Sequence, residues 1–280
     1  ALESRAQELA KNLSADADAM SAVLDKLHEV LTVPAAERDL VMRPTVKKTL
    51  SEMESTLRAF RKSTHIALEE FLGNRNPFVL DLVREYGLDA DSARHGLHVA
   101  AFAAELTAHL GEAYYLGKSP TDERLRHELF HRELVEIFLG GFLHDAGLWG
   151  DQDPMGHESS GAGIVAQIPH INGIAESMVD IVLFHSELSG LAASPGIVRA
   201  RRGRESNPSF SAHYHESLEA AREQITDEAD SASLKLLRDV DLKRILPVAI
   251  AEHYISQTEG PDGISPRATI SAAVGAGDNE

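Results

Sequence analysis

The pair His144-Asp145 is the feature of this sequence that most directly indicates chemistry. It ends the apolar run 137–143 and is followed at once by Ala146 and Gly147. An imidazole and a carboxylate at the end of a buried segment are costly to remove from water unless a partner compensates them. A divalent metal is such a partner, because imidazole nitrogen and carboxylate oxygen are both ligands for Fe, Mn, Zn or Ni. The pair therefore predicts a metal site.

Other histidine and acidic residues stand at spacings that can bring them to the same point. His95, His157, His185 and Glu252 each lie at or near the end of a separate predicted helix. A helical bundle brings such ends together, and bundle cores hold metal–carboxylate sites. A single histidine on a helix is more often a surface or hydrogen-bonded core residue, so only the joint pattern favours metal binding. His98 either neighbours the site or faces solvent. Six further histidines are assigned to surface or core roles: His28, His65, His109, His127, His131 and His170.

The elements that must position these residues are predicted to be helices. Apolar residues recur with a period near 3.6 in nearly every segment, and convincing alternating strands are missing. The predicted fold is therefore all-α, a multi-helix bundle with the candidate metal site at its centre. Helices are predicted over 3–32, 46–72, 78–86, 91–110, 157–168, 173–186, 214–240 and 241–257, and another ends at His144-Asp145.

A break in the helical pattern within 73–90 predicts a domain boundary. A small N-terminal helical domain is predicted over 1–80, and the metal-binding domain over 81–275 with an insertion near 198–240. The N-terminal domain contains no constellation of chemical groups. It is interpreted as a packing or dimerising helical bundle, with a sensory domain as the alternative. The stripe predicted for its second helix consists of Leu50, Met53, Leu57, Phe60, Ile66 and Ala67.

Composition excludes several classes of function. The formal net charge of −17 opposes a broad DNA or RNA footprint. The chain contains no cysteine, so thiolate metal sites and cysteine nucleophiles are excluded. No apolar stretch approaches the roughly 20 residues that span a bilayer. We therefore expect a cytoplasmic protein without a membrane span.

Five strings in the second domain resemble a known family. HGLHVA at 95–100 resembles HSxRVA, the opening of the HD superfamily of metal-dependent phosphohydrolases, and FLHDAG at 142–147 resembles its LHDIGK signature. HESSG at 157–161 and FHSE at 184–187 are similar to the HPxxG and HHE elements of the HD-GYP branch. RILPVA at 244–249 is similar to RILAVAD, which carries the final ligand. The resemblance covers 91–270 and implies a helical HD-type bundle.

Departures from the family pattern change what the resemblance implies. Leu148 replaces the lysine that would contact a phosphate, and the GYP triplet falls on 193–195, where only proline is shared. Ser186 replaces the second histidine of HHE. Asp91 stands where trinuclear members use glutamate. Because a third metal would lose much of its coordination, two metals are expected rather than three.

The resemblance also implies a set of ligands. Alignment without gaps places Ile250 at the final aspartate, so Glu252, two residues later, is favoured over His253. Asp145 is expected to bridge the two metals, since its carboxylate has two oxygens. One metal would be held by His95, His144, Asp145 and Glu252, and the other by Asp145, His157 and His185.

The function implied is hydrolysis of cyclic di-GMP or a related nucleotide. A hydroxide between two divalent transition metals, Fe or Mn preferred, would be the nucleophile, and Asp145 the catalytic carboxylate. Arg199, Arg201 and Arg202 are predicted to contact substrate phosphate, a solvated loop being the alternative. A weakened nucleotide-binding or protein-interaction module and a phosphohydrolase for another nucleotide stay open, as do a homodimer and a signalling-protein partner.

Overall fold

The computed structural model describes residues 2–31, 43–74, 91–117, 120–148, 157–166, 178–185 and 242–258. Within these ranges the chain consists of α-helices joined by short turns, and no strand is present. The predicted all-α class is therefore confirmed for this part of the chain. The helices predicted over 78–86 and 214–240, the domain boundary between 80 and 81, and the insertion near 198–240 lie outside the described residues.

Eight helices make up the described residues. The first and last were predicted over 3–32 and 241–257, and each bound lies within one residue of the observed one. The helices are α1 Leu2–Leu31, α2 Arg43–Asn74, α3 Asp91–Leu110, α4 Glu112–Leu116, α5 Glu123–Leu143, α6 His157–Ala166, α7 178–185 and α8 Leu242–Thr258.

The helices α1 and α2 pack along one another as a hairpin. Lys26, near the end of α1, pairs with Glu52, near the start of α2, at 3.7 Å, so the two helices run antiparallel. Ile66 departs from the predicted stripe, because it is 37% exposed. It lies nine residues, about two and a half turns, after the buried Leu57 and therefore on the opposite face of α2. The buried apolar residues of the hairpin include Leu13, Ala17, Met20, Leu24 and Leu27 from α1, and Met53, Leu57, Phe60, Ala67 and Leu68 from α2.

The helices α3 to α8 make up the second half of the structure. Its central helix is α5, which is buried continuously over 134–143. Asp122 caps its start, accepting a hydrogen bond from the Leu125 amide at 2.9 Å. Two glycines let neighbouring helices come close: a Cβ at Gly141 would lie 3.0 Å from the backbone of Ala100 in α3, and one at Gly140 would strike a side chain of α7. Without side chains at these positions, α3 and α7 approach the backbone of α5 directly.

The hairpin and the second half share one hydrophobic core. Phe60 of α2 packs edge-on against two aromatic rings of α5, Phe138 and Phe142. All eight described helices contribute buried residues to this one cluster, and the contribution of α4 is Tyr114. None of the described helices is long and apolar enough to span a bilayer.

Candidate metal centre

Six predicted site residues from five elements meet at one point. The turn after α5 holds two of them and is closed by backbone hydrogen bonds from Ala146 to Leu143 and from Leu148 to Asp145, both 2.8 Å. The others come from helices far apart in the sequence. They are His95 early in α3, His144 and Asp145 in the turn, His157 at the start of α6, His185 at the end of α7, and Glu252 in the middle of α8.

One group of ligand atoms surrounds Oδ2 of Asp145. Nε2 of His144 lies 3.2 Å from this oxygen and 3.0 Å from Oε2 of Glu252. Nε2 of His95 lies 2.8 Å from the same Glu252 oxygen and 3.9 Å from Asp145 Oδ2. These four residues can each offer one ligand atom within 4.8 Å of the others.

The second group surrounds the other oxygen of Asp145. Nε2 of His157 lies 3.2 Å from Oδ1, and Nε2 of His185 lies 3.4 Å from it. The carboxylate therefore turns one oxygen to each group, and Asp145 is common to both.

The spacing within each group fits a shared cation. Ligands at about 2.0–2.2 Å from one ion stand roughly 3.0–3.5 Å from each other in octahedral or tetrahedral geometry. Most of the distances above fall in that range. Nε2 of His144 is fully buried and makes no hydrogen bond within the described part of the chain. A metal ion beside the two carboxylates would satisfy it, so the donor set fits a transition metal.

Backbone carbonyls orient two of the imidazoles. Nδ1 of His144 lies 2.6 Å from the carbonyl oxygen of Gly141, and Nδ1 of His185 lies 2.9 Å from that of Val182. Because a carbonyl only accepts, Nδ1 donates in each bond, which leaves the lone pair of the neutral ring on Nε2. Both rings thus present their Nε2 atoms to Asp145 as ligands.

The ionisation of the site favours cations. Burial would raise the pKa of Asp145, but the charge of His144 and hydrogen bonds from His157 and His185 outweigh it and hold the pKa far below its usual value. Burial would also raise the pKa of Glu252, yet interactions with His144 and His95 lower it. For His144 burial acts to lower the pKa, and the nearby carboxylates raise it well above its usual value, so without metal the ring carries a proton on Nε2 that a bound cation would displace. Both carboxylates are therefore ionised at neutral pH.

Two further side chains support the site without having been predicted to do so. Ser256, one turn after Glu252 on α8, donates to Glu252 Oε1 at 2.5 Å. Glu158 places Oε2 3.4 Å from Nδ1 of His157. The sequence contained a signal for Ser256, because a hydroxyl four residues after a candidate ligand on a helix lies on the same face. It contained none for Glu158, because a residue adjacent to a candidate histidine in the sequence can point in a different direction.

The structure also decides between several alternatives at the edge of the site. Glu252 reaches the cluster. The ring of the neighbouring His253 lies edge-on to that of Tyr254, with centroids 5.8 Å apart, and Ile250 is buried in the core. His98 is buried, so the alternative in which it faces solvent is wrong. The predicted phosphate contacts Arg199, Arg201 and Arg202 lie outside the described residues, as do Ser186 and 193–195.

Comparison of this chain with models of protein families, with curated proteins and with solved structures finds no match. The interpretation of the site therefore depends on its own chemistry and on the short motifs of the sequence.

Proposed function

We propose that this protein is a dinuclear metal-dependent phosphodiesterase built on an HD-type helical bundle and acting on cyclic di-GMP or a related nucleotide. The observation that carries the proposal is the orientation of Asp145, with Oδ2 beside His144 and Oδ1 beside His157 and His185. A carboxylate so placed could give one oxygen to each of two metal ions. The resemblance of the site motifs to those of the HD-GYP branch is the second support.

Fe or Mn is the metal that this donor set favours, because imidazoles and carboxylates are mixed and thiolates are absent. Two such ions lower the pKa of a water toward ~7 and offset charge on phosphate oxygens when they are bound. The first would be held by His95, His144, Asp145 and Glu252, and the second by Asp145, His157 and His185.

The charge of the loaded site would attract a cyclic dinucleotide. Two ionised carboxylates, Asp145 and Glu252, would not neutralise two divalent cations, so the site would keep a net positive charge. A cyclic dinucleotide carries two phosphodiester charges. Because opposite charges attract strongly in a partly buried site, the centre favours this anion despite the acidic protein around it.

The second metal position is the one with more room for substrate. Among the described residues its ligands would be two imidazoles and one carboxylate, one group fewer than at the first position, which would leave more coordination places for water and phosphate oxygen. His157 and Asp145 keep 12% and 20% of their side-chain surface exposed, while His185 on the inner side keeps 2%. We infer that substrate enters from the side of His157.

A second candidate function is a nucleotide-binding module that keeps its metals but does not turn over. Leu148 favours it: this residue closes the turn after Asp145, where the related family has a phosphate-binding lysine. An apolar side chain there supplies no charge to the phosphate. The two candidates share the metal centre and differ in catalysis.

A turnover assay separates them. Protein purified without chelator is analysed for metal, loaded with Mn or Fe, and incubated with cyclic di-GMP alongside Asp145→Ala. Glu128→Ala is the matched control, since Glu128 is an exposed carboxylate on α5 that pairs with Arg124. We expect product from the wild type and from Glu128→Ala, and none from Asp145→Ala.

Other results have distinct meanings. Saturable nucleotide binding without product, lost in Asp145→Ala, would favour the binding module over the enzyme. A protein that contains almost no transition metal and cannot be loaded would contradict both candidates.

A further inference from the structure

We propose that the N-terminal hairpin tunes the metal centre and that Phe60 is the positioning residue through which it acts. The inference deepens the proposed function and rests on it in one respect, because it requires metal at the Asp145 cluster. It goes beyond that function in assigning a role to α1 and α2, which contribute no ligand to the site.

Phe60 makes the contact between the hairpin and the helix that leads into the site. Its ring meets Phe142 at 4.8 Å between centroids and 88°, and Phe138 at 6.0 Å and 85°. All three side chains are fully buried. Edge-to-face packing of this kind is directional, and close-packed side chains deform little. A displacement of α2 therefore displaces Phe142 as well.

Phe142 in turn lies between Phe60 and the first helix of the site. A Cβ at Gly96 would stand 2.7 Å from the Phe142 carbonyl oxygen and 3.4 Å from its ring, so α3 touches α5 at this residue. Gly96 directly follows His95, and Phe142 precedes His144 by two positions. Phe142 is therefore wedged between α2 on one side and the backbone next to His95 on the other.

This wedge sets the separation of two metal ligands. The rings of His95 and His144 stand 5.3 Å apart, and both address the same oxygen of Glu252. Metal sites lose affinity when ligands move by more than about 0.5 Å from their productive positions. A small shift of α2 against α5, transmitted by Phe60, changes that separation.

The hairpin has the rigidity to transmit such a shift. Its two helices of 30 and 32 residues bury a continuous apolar seam, including Met20, Leu24, Met53 and Leu57 at 1% exposure or less. Close-packed interiors of this kind pass on displacement instead of absorbing it. A ligand or partner that moves the hairpin would therefore alter metal occupancy without touching the site.

The test uses the full chain and Co(II) as the probe metal. Metal-free wild type, Phe60→Leu and Met53→Ala are titrated with Co(II), and the visible spectrum of bound Co(II) is recorded for each. Met53 is the matched control, because it is equally buried in α2, lies two turns before Phe60 and carries no ring that could pack edge-on against α5. Far-UV circular dichroism verifies that all three proteins are folded.

We expect Phe60→Leu to weaken Co(II) binding about tenfold and to shift the Co(II) absorption bands. Met53→Ala should change affinity by less than about twofold and leave the bands in place, although it also lowers Tm. Conversely, Co(II) should slow amide exchange over 57–64 in the wild type more than in Phe60→Leu, since coupling is reciprocal.

The contrary outcomes are separable. Wild-type affinity and an unchanged spectrum in Phe60→Leu would overturn the inference while leaving the proposed function intact. Equal losses in Phe60→Leu and Met53→Ala, with unshifted bands in both, would reduce the effect to global stability and also overturn it. A wild type that binds no Co(II) would overturn the proposed function. If Phe60→Leu does not fold, Phe60→Met, whose flexible side chain can fill an irregular gap in the core but has no ring, is titrated in its place with the same expectation.

Discussion

Arg244 and Glu133 form a bidentate ion pair that joins α8 to α5. Nε and one terminal nitrogen of Arg244 each donate to a different oxygen of Glu133 at 2.7 Å. Both side chains are partly buried, and the Arg244 guanidinium also lies 3.9 Å from the buried Glu136. The pair stands two turns before Glu252 on α8, so it holds in place the helix that brings the last candidate ligand to the site.

Replacing this arginine tests its structural value. Arg244→Lys keeps the charge but loses the planar fork, so we expect the free energy of unfolding to fall by about 1–3 kcal/mol. Arg124→Lys is the control, because its pair with Glu128 is exposed and contributes less than about 1 kcal/mol. Chemical denaturation of both variants measures the difference. Equal losses of unfolding free energy would show that the pair of Arg244 and Glu133 stabilises the fold no more than an exposed pair.

Metal stoichiometry tests the division of the site into two groups. We expect His157→Ala to bind close to one metal per chain, because it removes a ligand of the second group only. Asp145→Ala should retain almost none, since both groups lose their common oxygen donor. Elemental analysis after desalting measures this. A content in His157→Ala equal to that of the wild type would contradict the assignment of that residue.

Gly147→Ala should disturb the second metal without altering a ligand. A Cβ at Gly147 would lie 2.8 Å from the Gly161 amide nitrogen and strike the carbonyl of His157, so α6 must move away. We expect loss of the second metal and retention of the first, read by elemental analysis. Gly163→Ala is the matched control, because its Cβ meets no atom within 4 Å and should slightly stabilise α6. Retention of both metals in Gly147→Ala would argue against close packing of α6 on the turn.

Metal removal should lower thermal stability. An ion that binds only the folded chain stabilises it by RT ln(1 + [L]/Kd), about 2.7 kcal/mol at one hundred times Kd. For a chain of this size we expect chelator to lower Tm by roughly 5–10 °C. His144→Ala should show a smaller chelator effect than the wild type, because it removes a ligand of the first group only, and scanning calorimetry with and without chelator makes the comparison. The same Tm for the wild type in both conditions would contradict metal binding.

The acid sensitivity of the fold should depend on His131, which lies away from the site between α5 and α2. Burial, followed by the charge of His65, lowers its pKa from 6.5 to about 4. His127 and Glu69 are the other titratable groups that act on it. Because the unfolded chain takes up a proton at higher pH than the folded one, this contribution is intact above pH 6.5 and is lost as the pH falls toward 4.

The measurement compares wild type and His131→Asn by denaturant unfolding from pH 7 to pH 4. We expect the wild type to lose about 1–2 kcal/mol more than the variant across that interval. Measuring both proteins without metal removes pH-dependent metal binding, and the titration of the candidate ligands cancels because it is common to both proteins. Parallel pH profiles would show that His131 is not responsible.

Part of this architecture follows from local pattern. The bounds of α1 and α8 were predicted to within one residue because a 3.6-residue period marks a helix within a short window. The prediction that Ile66 belongs to the buried stripe was wrong, because the residue is apolar but exposed. Where two adjacent positions of a helix are both apolar, the sequence does not tell which of them faces a neighbouring helix.

The residues of the candidate site were likewise predicted only in part from the sequence. His95, His144, Asp145, His157 and His185 were selected from residue type, helix ends and motif resemblance, and the structure brings them together. The choice between Glu252 and His253 required the rotation of α8 about its axis. The roles of Ser256 and Glu158 required distances between side chains.

By itself, the sequence determined the helical class, the bounds of the first and last described helices to within one residue, and the residue types able to bind metal, because these depend on neighbours a few positions apart. Only the tertiary structure decided that Asp145 turns one oxygen to each group of histidines and that Phe60 presses on the helix leading to them. Such relationships join segments tens of residues apart, and their geometry is set by how whole helices pack, which local periodicity does not encode.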